Sequence, residues 1–140
     1  FTNRDFAYLL GYTSDELFAG NFADVNGTFA DGFDKIAAYG RVGAQWRWLV
    51  DTDNDGVPNI HQVDPTGQNG FPVSGDFNPA LPGDEVGIFT GNTWFLDTDA
   101  DFQTNDVGGS VRVNWQAGTI GHGFTGDFDG DGLVDLGTWS

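Results

Sequence analysis

Gly126-Asp127-Phe128-Asp129-Gly130-Asp131-Gly132-Leu133-Val134-Asp135-Leu136-Gly137-Thr138-Trp139 is the stretch on which the reading of the fold turns. A short apolar strand, about Phe124–Phe128, leads into a run of alternating Asp and Gly, and a second strand, about Val134–Trp139, follows it. Such a run ends one strand and reverses the chain, because Gly reaches conformations closed to other residues and Asp caps its own turns. The unit is a pair of strands joined by an acidic loop.

The same unit recurs upstream. Gly20-Asn21-Phe22 and Gly75-Asp76-Phe77 repeat the opening tripeptide Gly126-Asp127-Phe128. Each is followed by an acid and a short apolar strand, and the aromatic ends of these strands fall at Tyr39, Phe89 and Trp139, 50 residues apart. A second block, Trp48-Leu49-Val50-Asp51-Thr52-Asp53, returns as Trp94-Phe95-Leu96-Asp97-Thr98-Asp99. A period near 50 with several short strands per copy predicts a propeller-like or solenoid β array.

Strands are expected in the first copy at about Leu17–Phe22, Lys35–Tyr39, Trp46–Val50 and Ile60–Val63. The second copy places them at about Val73–Phe77, Glu85–Phe89, Thr93–Leu96 and Val111–Trp115, the last alternating apolar and polar residues. The third copy holds two, and Phe6–Leu10 reads as the last strand of a preceding copy. The expected organisation is therefore residues 1–16 as that last strand, 17–66 as repeat 1, 67–117 as repeat 2 and 118–140 as the first half of repeat 3. The fold class is all-β, an array of four-stranded antiparallel blades with two full repeats and partial terminal ones.

Composition agrees. Among 140 residues, 22 Gly and 5 Pro argue for many turns rather than long helices, and 39% hydrophobic content supplies a core. No stretch approaches the roughly 18 apolar residues of a membrane helix. No N-terminal stretch has the layout of a secretion signal, and a chain without Met that starts at Phe1 reads as a processed product or a fragment. The net charge of −16 argues against nucleic acid, which needs Lys and Arg to displace counterions, and against an anionic membrane surface. Of the 21 acids only Glu16 and Glu85 are Glu. Asp in such excess means turns, caps or cation loops rather than a solvated helix face. Without cysteine there is neither a disulfide nor a thiolate metal site.

The cation loops are specific. Asp127, Asp129, Asp131 and Asp135 alternate so that their carboxylates converge, Gly132 permits the sharp turn, and Leu133 offers its backbone carbonyl. Hard oxygen ligands in this number suit Ca²⁺. Asp51, Asp53, Asp55, Val57 and Asn59 repeat the layout, with Gln62 and Asp64 as further closers. Asp97, Asp99, Asp101, Gln103 and Asn105 repeat it again, with Asp106 as an alternative closer and Phe102 where Gly is wanted. About three Ca²⁺ sites are expected. The loops after Asn21 and Asp76 lack ligands and read as turns whose sites have been lost.

On these residues the chain resembles the FG-GAP/VCBS repeats of integrin-α-like β-propellers. The Gly126–Gly132 run with Asp135 matches that family's calcium hairpin, and Asp51–Asn59 is also similar to thrombospondin type 3 and dockerin repeats. The resemblance implies a four-stranded blade per repeat, with calcium in the hairpin between the first two strands. It also implies an extracellular or cell-surface protein with a role in adhesion.

Other features are weaker. His61 and His122 are too few for a zinc site. The repeat places Trp48, Trp94 and Trp139 in the core, leaving Trp46 and Trp115 as candidates for stacking on a sugar. Asn26-Gly27-Thr28 fits the N-glycosylation pattern. Arg4, Arg41, Arg47 and Arg112 read as partners for nearby Asp. No nucleophile–histidine–acid arrangement or phosphate loop is present, and the paired acids sit in cation loops, so no enzymatic activity is expected. Two roles are left: a structural subunit that self-associates through its partial terminal repeats, or an adhesion module for a glycan or protein ligand.

Overall fold

The computed structural model describes residues 9–22, 30–65, 67–104 and 121–139. These contain strands only: β1 (Glu16–Gly20), β2 (Lys35–Val42), β3 (Gln45–Val50), β4 (Ile60–Asp64), β5 (Phe71–Gly75), β6 (Glu85–Phe89), β7 (Trp94–Leu96), β8 (His122–Gly126) and β9 (Asp135–Trp139). They form three antiparallel sheets in chain order, β1-β2-β3-β4, β5-β6-β7 and β8-β9. The all-β expectation therefore holds. Among the described residues only the first sheet has four strands, and the sheets close neither a barrel nor a propeller.

The strands lie close to their expected places, with instructive shifts. β5 and β8 each end at the Gly of the Gly-Asp-Phe tripeptide, two residues before the expected end. The Phe belongs to the following turn: the ladders end at Gly75 and Gly126, and Phe77 and Phe128 stand in bends. Leu9 and Leu10 are not in a strand, and Leu9 is almost fully exposed, so the part of the Phe6–Leu10 expectation that is described does not hold. Val111–Trp115 lies outside the described residues, as do Arg4 and Arg112, Asn26-Gly27-Thr28, Asn105 and Asp106.

One register recurs in each sheet. Gly20 pairs with Lys35, Gly75 with Glu85 and Gly126 with Asp135, so each tripeptide glycine faces the first residue of the second strand. The first strands also contact one another, β5 touching both β1 and β8. The Ser74 hydroxyl donates to the Ala19 carbonyl, and the Thr125 hydroxyl donates to the Ser74 carbonyl. Between the first two sheets, Asp84 N–H donates to Asn21 O at 3.1 Å, and Phe22 and Asp84 form a parallel bridge.

The core lies between sheets. Tyr39, Trp48 and Val50 of the first sheet pack with Val86 and Ile88 of the second. On the other side Val73, Phe77, Phe89 and Trp94 meet Val134 and Leu136 of the third. This explains why β6 is buried at every position. A strand covered on both faces is apolar throughout rather than alternating. Trp48 and Trp94 are fully buried, as their place in the repeat requires. Trp139 is 68% exposed, against expectation, because no described element covers that face of the last sheet.

At the other end, Asp15 lies over the first sheet against Gly40, where even a Cβ would collide with its carboxylate. Arg47 pairs with Asp15 at 3.6 Å and stacks over the Tyr12 ring, which bears out Arg47 as a partner for a nearby Asp.

Candidate metal centres

Three acidic loops each gather carboxylates able to hold a metal ion. The carboxylate oxygens of Asp51, Asp53 and Asp55 lie within 4.8 Å of one another, as do those of Asp97, Asp99 and Asp101, and those of Asp127, Asp129 and Asp135. The first loop joins β3 to β4, the second follows β7, and the third joins β8 to β9. Only the third therefore sits between the first two strands of a sheet, the place the family resemblance implies. The other two follow the third strand.

A common hydrogen-bond scheme shapes all three. The leading Asp accepts from the amide five residues on: Gly56 to Asp51 Oδ2 at 2.7 Å, Phe102 to Asp97 Oδ2 at 2.8 Å, Gly132 to Asp127 Oδ2 at 3.0 Å. The third Asp of each run accepts from the amide two residues on, Val57 to Asp55, Gln103 to Asp101 and Leu133 to Asp131, each at 2.8 Å. These contacts bend the chain around the carboxylates, the same side-chain-to-backbone bonding that makes Asp a turn residue.

The bend requires positive φ at the fourth and sixth positions. They are Asn54 and Gly56 in the first loop, Ala100 and Phe102 in the second, and Gly130 and Gly132 in the third. Phe102 occupies the glycine place at φ +60°. A left-handed residue with a side chain costs about 1–2 kcal/mol. Its ring, however, is 3% exposed and packs in the first core cluster beside Phe22. Burying a Phe contributes about 1.5–3 kcal/mol, enough to offset the strain. The apparent misfit in sequence is a loop anchored by the core.

The loops differ in burial. Asp51 and Asp97 are buried at strand ends, while Asp127 and Asp129 are exposed. Asp51 Oδ1 is buried and has no hydrogen-bond partner among the described residues. An orphaned buried carboxylate oxygen is costly, and a cation is the partner that would satisfy it. All donors are hard oxygens, which suits a divalent ion of the Ca²⁺ or Mg²⁺ kind.

Some expected ligands have other tasks. Asn59 Oδ1 accepts from Thr52 N and Oγ1 at 2.7 and 3.0 Å, and Asn59 Nδ2 faces Asp53 Oδ2 at 3.4 Å. Asn59 thus props the loop from the side. Gln103 Nε2 donates to Asp101 Oδ2 at 2.6 Å. Asp131 is not in the three-carboxylate cluster of its loop, whereas Asp135 is, and Asp135 Oδ2 also accepts from Phe128 N at 3.0 Å.

The hairpin after Asp76 is closed differently. Glu85 Oε2 accepts from Phe77 N at 2.7 Å and Asn78 N at 3.1 Å. Burial pushes the Glu85 carboxyl up to about 7, against the lowering effect of those two amides. Burial likewise raises Asp76, helped by the charge of Asp84. The sequence reading placed Asp76 in a turn whose cation site has been lost and Glu85 at the start of a strand, and gave neither a raised carboxyl. The only signal was that Glu85 is one of two Glu in an Asp-rich chain.

Comparison of the chain with protein-family models, with curated proteins and with solved structures found no match. The resemblance to FG-GAP/VCBS repeats stands on the residues of the hairpins alone.

Proposed function

We propose that this chain is a calcium-stabilised extracellular repeat protein with a structural role, built as a propeller-like array of FG-GAP/VCBS-type blades. The observation that carries the calcium reading is the buried, unpartnered Asp51 Oδ1 set among the carboxylates of Asp53 and Asp55. The shared scheme of the Asp97 and Asp127 loops extends it to three sites. In such a role the ions cross-link loops that no disulfide holds, and they offset part of the −16 charge.

The assembly part rests on the last sheet. Phe124, Phe128 and Trp139 are exposed there, while their counterparts by register, Val73, Phe77 and Phe89, are covered by the next sheet. An exposed apolar face of this kind favours association with another sheet, either a copy of the chain or a further repeat. Size-exclusion chromatography and negative-stain imaging in millimolar Ca²⁺ and in EGTA test both parts. Calcium-dependent oligomers or filaments are expected. A monomer whose melting is indifferent to calcium overturns the proposal.

An adhesion module for a glycan is the second reading. A cavity of about 330 Å³ is lined by Tyr39, Trp46, Phe71 and Phe89 together with Glu16 and Asn69. Aromatic faces beside polar groups are what a sugar ring requires. Quenching of Trp fluorescence by a panel of oligosaccharides, abolished in Trp46→Ala, would favour this reading.

A further inference from the structure

The first hairpin, between β1 and β2, repeats the second half of the β8–β9 loop nearly atom for atom. Asp31, Gly32 and Phe33 precede Lys35 by four, three and two residues, and Asp131, Gly132 and Leu133 precede Asp135 by the same steps. Lys35 pairs with Gly20 as Asp135 pairs with Gly126. Gly32 and Gly132 both have φ +85°. Gly32 N donates to Asn21 Oδ1 at 3.1 Å, and Gly132 N donates to Asp127 Oδ2 at 3.0 Å, Asn21 and Asp127 being the second residues of their tripeptides. Phe33 N donates to Asp31 Oδ1 at 3.0 Å, and Leu133 N donates to Asp131 Oδ1 at 2.8 Å.

The difference lies at the second-strand residue. The Lys35 side chain is 1% exposed, and its ammonium donates to Asn21 Oδ1 at 3.3 Å, to Phe33 O at 2.7 Å and to Asp31 Oδ1. Those three oxygens are the counterparts of Asp127, the Leu133 carbonyl and Asp131; Asp127 belongs to the three-carboxylate cluster of the last hairpin, and Lys35 itself stands at the register place of Asp135, another member of that cluster. A lysine is rarely buried so fully unless oxygens take its charge.

We propose that the Lys35 ammonium is the resident cation of the first hairpin, standing where the last hairpin takes a divalent ion from solution. The inference rests on the calcium reading of the last hairpin. The chain thereby carries two versions of one turn: the first is closed at any calcium level by a charge carried on its own side chain, the last only when calcium is present. A mixed array of this kind keeps the β1–β2 turn closed without calcium while calcium controls the β8–β9 turn.

Two substitutions test it, by thermal unfolding in EGTA and in millimolar Ca²⁺ and by calorimetric titration with CaCl₂. Lys35→Met keeps the stem and removes the charge, and should melt below the wild type in EGTA. Lys35→Asp places a carboxylate where Asp135 stands in the last hairpin. It should melt lower still in EGTA, recover as calcium is added, and bind about one calcium more than the wild type. Lys35→Met melting with the wild type, or Lys35→Asp showing only the wild-type response to calcium, overturns the proposal. The wild-type titration reads the underlying proposal separately. If the wild type takes up no calcium while Lys35→Met is destabilised, the calcium function fails and the assignment of Lys35 as the internal cation stands.

Discussion

The middle and last sheets carry one hairpin in two environments. Gly75 faces Glu85 and Gly126 faces Asp135, and in each the amide of the tripeptide Phe donates to that acid, at 2.7 and 3.0 Å. Around this shared frame everything else diverges. Phe77 is 7% exposed and Phe128 59%, while Phe89 is fully buried and Trp139 68% exposed. The middle hairpin is covered on both faces and closes on a carboxyl that burial keeps near neutrality. The last hairpin is open and keeps three carboxylates together. A dry neighbourhood disfavours accumulated charge, whereas an exposed one tolerates it and leaves room for an ion. The same turn serves as packing or as a gathering of carboxylates able to hold a metal ion according to what lies against it.

The contrast breaks most visibly by truncating the matched aromatics. Phe89→Ala should destabilise by about 3–5 kcal/mol, the usual loss for a buried Phe. Trp139→Ala should change the stability of the isolated chain by less than about 0.5 kcal/mol, as surface substitutions do. Denaturant unfolding measures both. A Trp139→Ala loss as large as that of Phe89→Ala would mean that the last sheet is covered in solution by another copy.

Calcium should separate the hairpins next. At a hundredfold excess over Kd each ion adds about 2.7 kcal/mol to the folded state. Asp129→Ala should remove one site from a calorimetric titration and leave the others, since the Asp51 and Asp97 loops share no residue with it. Substitution of Asp76 in the middle hairpin should leave the calcium stoichiometry unchanged. A loss of calcium from that variant would erase the distinction drawn between the two turns.

The pH response sharpens it from the other side. Glu85 titrates near 4.5 in the unfolded chain and about 7 in the fold. Across that window the folded state holds a proton that the unfolded state has released, so this residue's contribution is present at low pH and lost as pH rises through about 7. Melting curves of the wild type and Glu85→Gln between about pH 5 and about pH 8 should show a decline in the former that is smaller in the latter. Equal slopes would show that Glu85 is not held neutral.

A smaller effect than loss of a calcium ion is expected at Gly132. Its φ of +85° is strained for any residue with a Cβ, yet a Cβ there meets open space. Gly132→Ala should cost about 1 kcal/mol without altering the core. The middle hairpin has Pro82 at the corresponding place, three residues before Glu85, and takes its positive φ one residue later, at Gly83.

Much of this molecule was legible in the chain itself. The repeats, the Gly-Asp-Phe tripeptides and the apolar runs located all nine described strands to within about two residues at their N-terminal ends, with β2 running on to Val42 and β4 on to Asp64. The Asp runs located the three carboxylate clusters, because alternation and turn chemistry are local properties and act over a few residues. What depended on distant residues was not legible. Phe102 looked unfit for its turn until the core that holds its ring, with Phe22 eighty residues earlier, was visible. Whether the acid at this register has its carboxyl pushed up by burial, as Glu85 does, or joins an exposed carboxylate cluster, as Asp135 does, was decided by the sheets packed on either side. Lys35 read as part of a strand, and only the folded turn brings its ammonium to Asn21, Asp31 and Phe33. Burial sets the energy of a charge, and burial is a property of the assembled sheets, which no local pattern in the chain encodes.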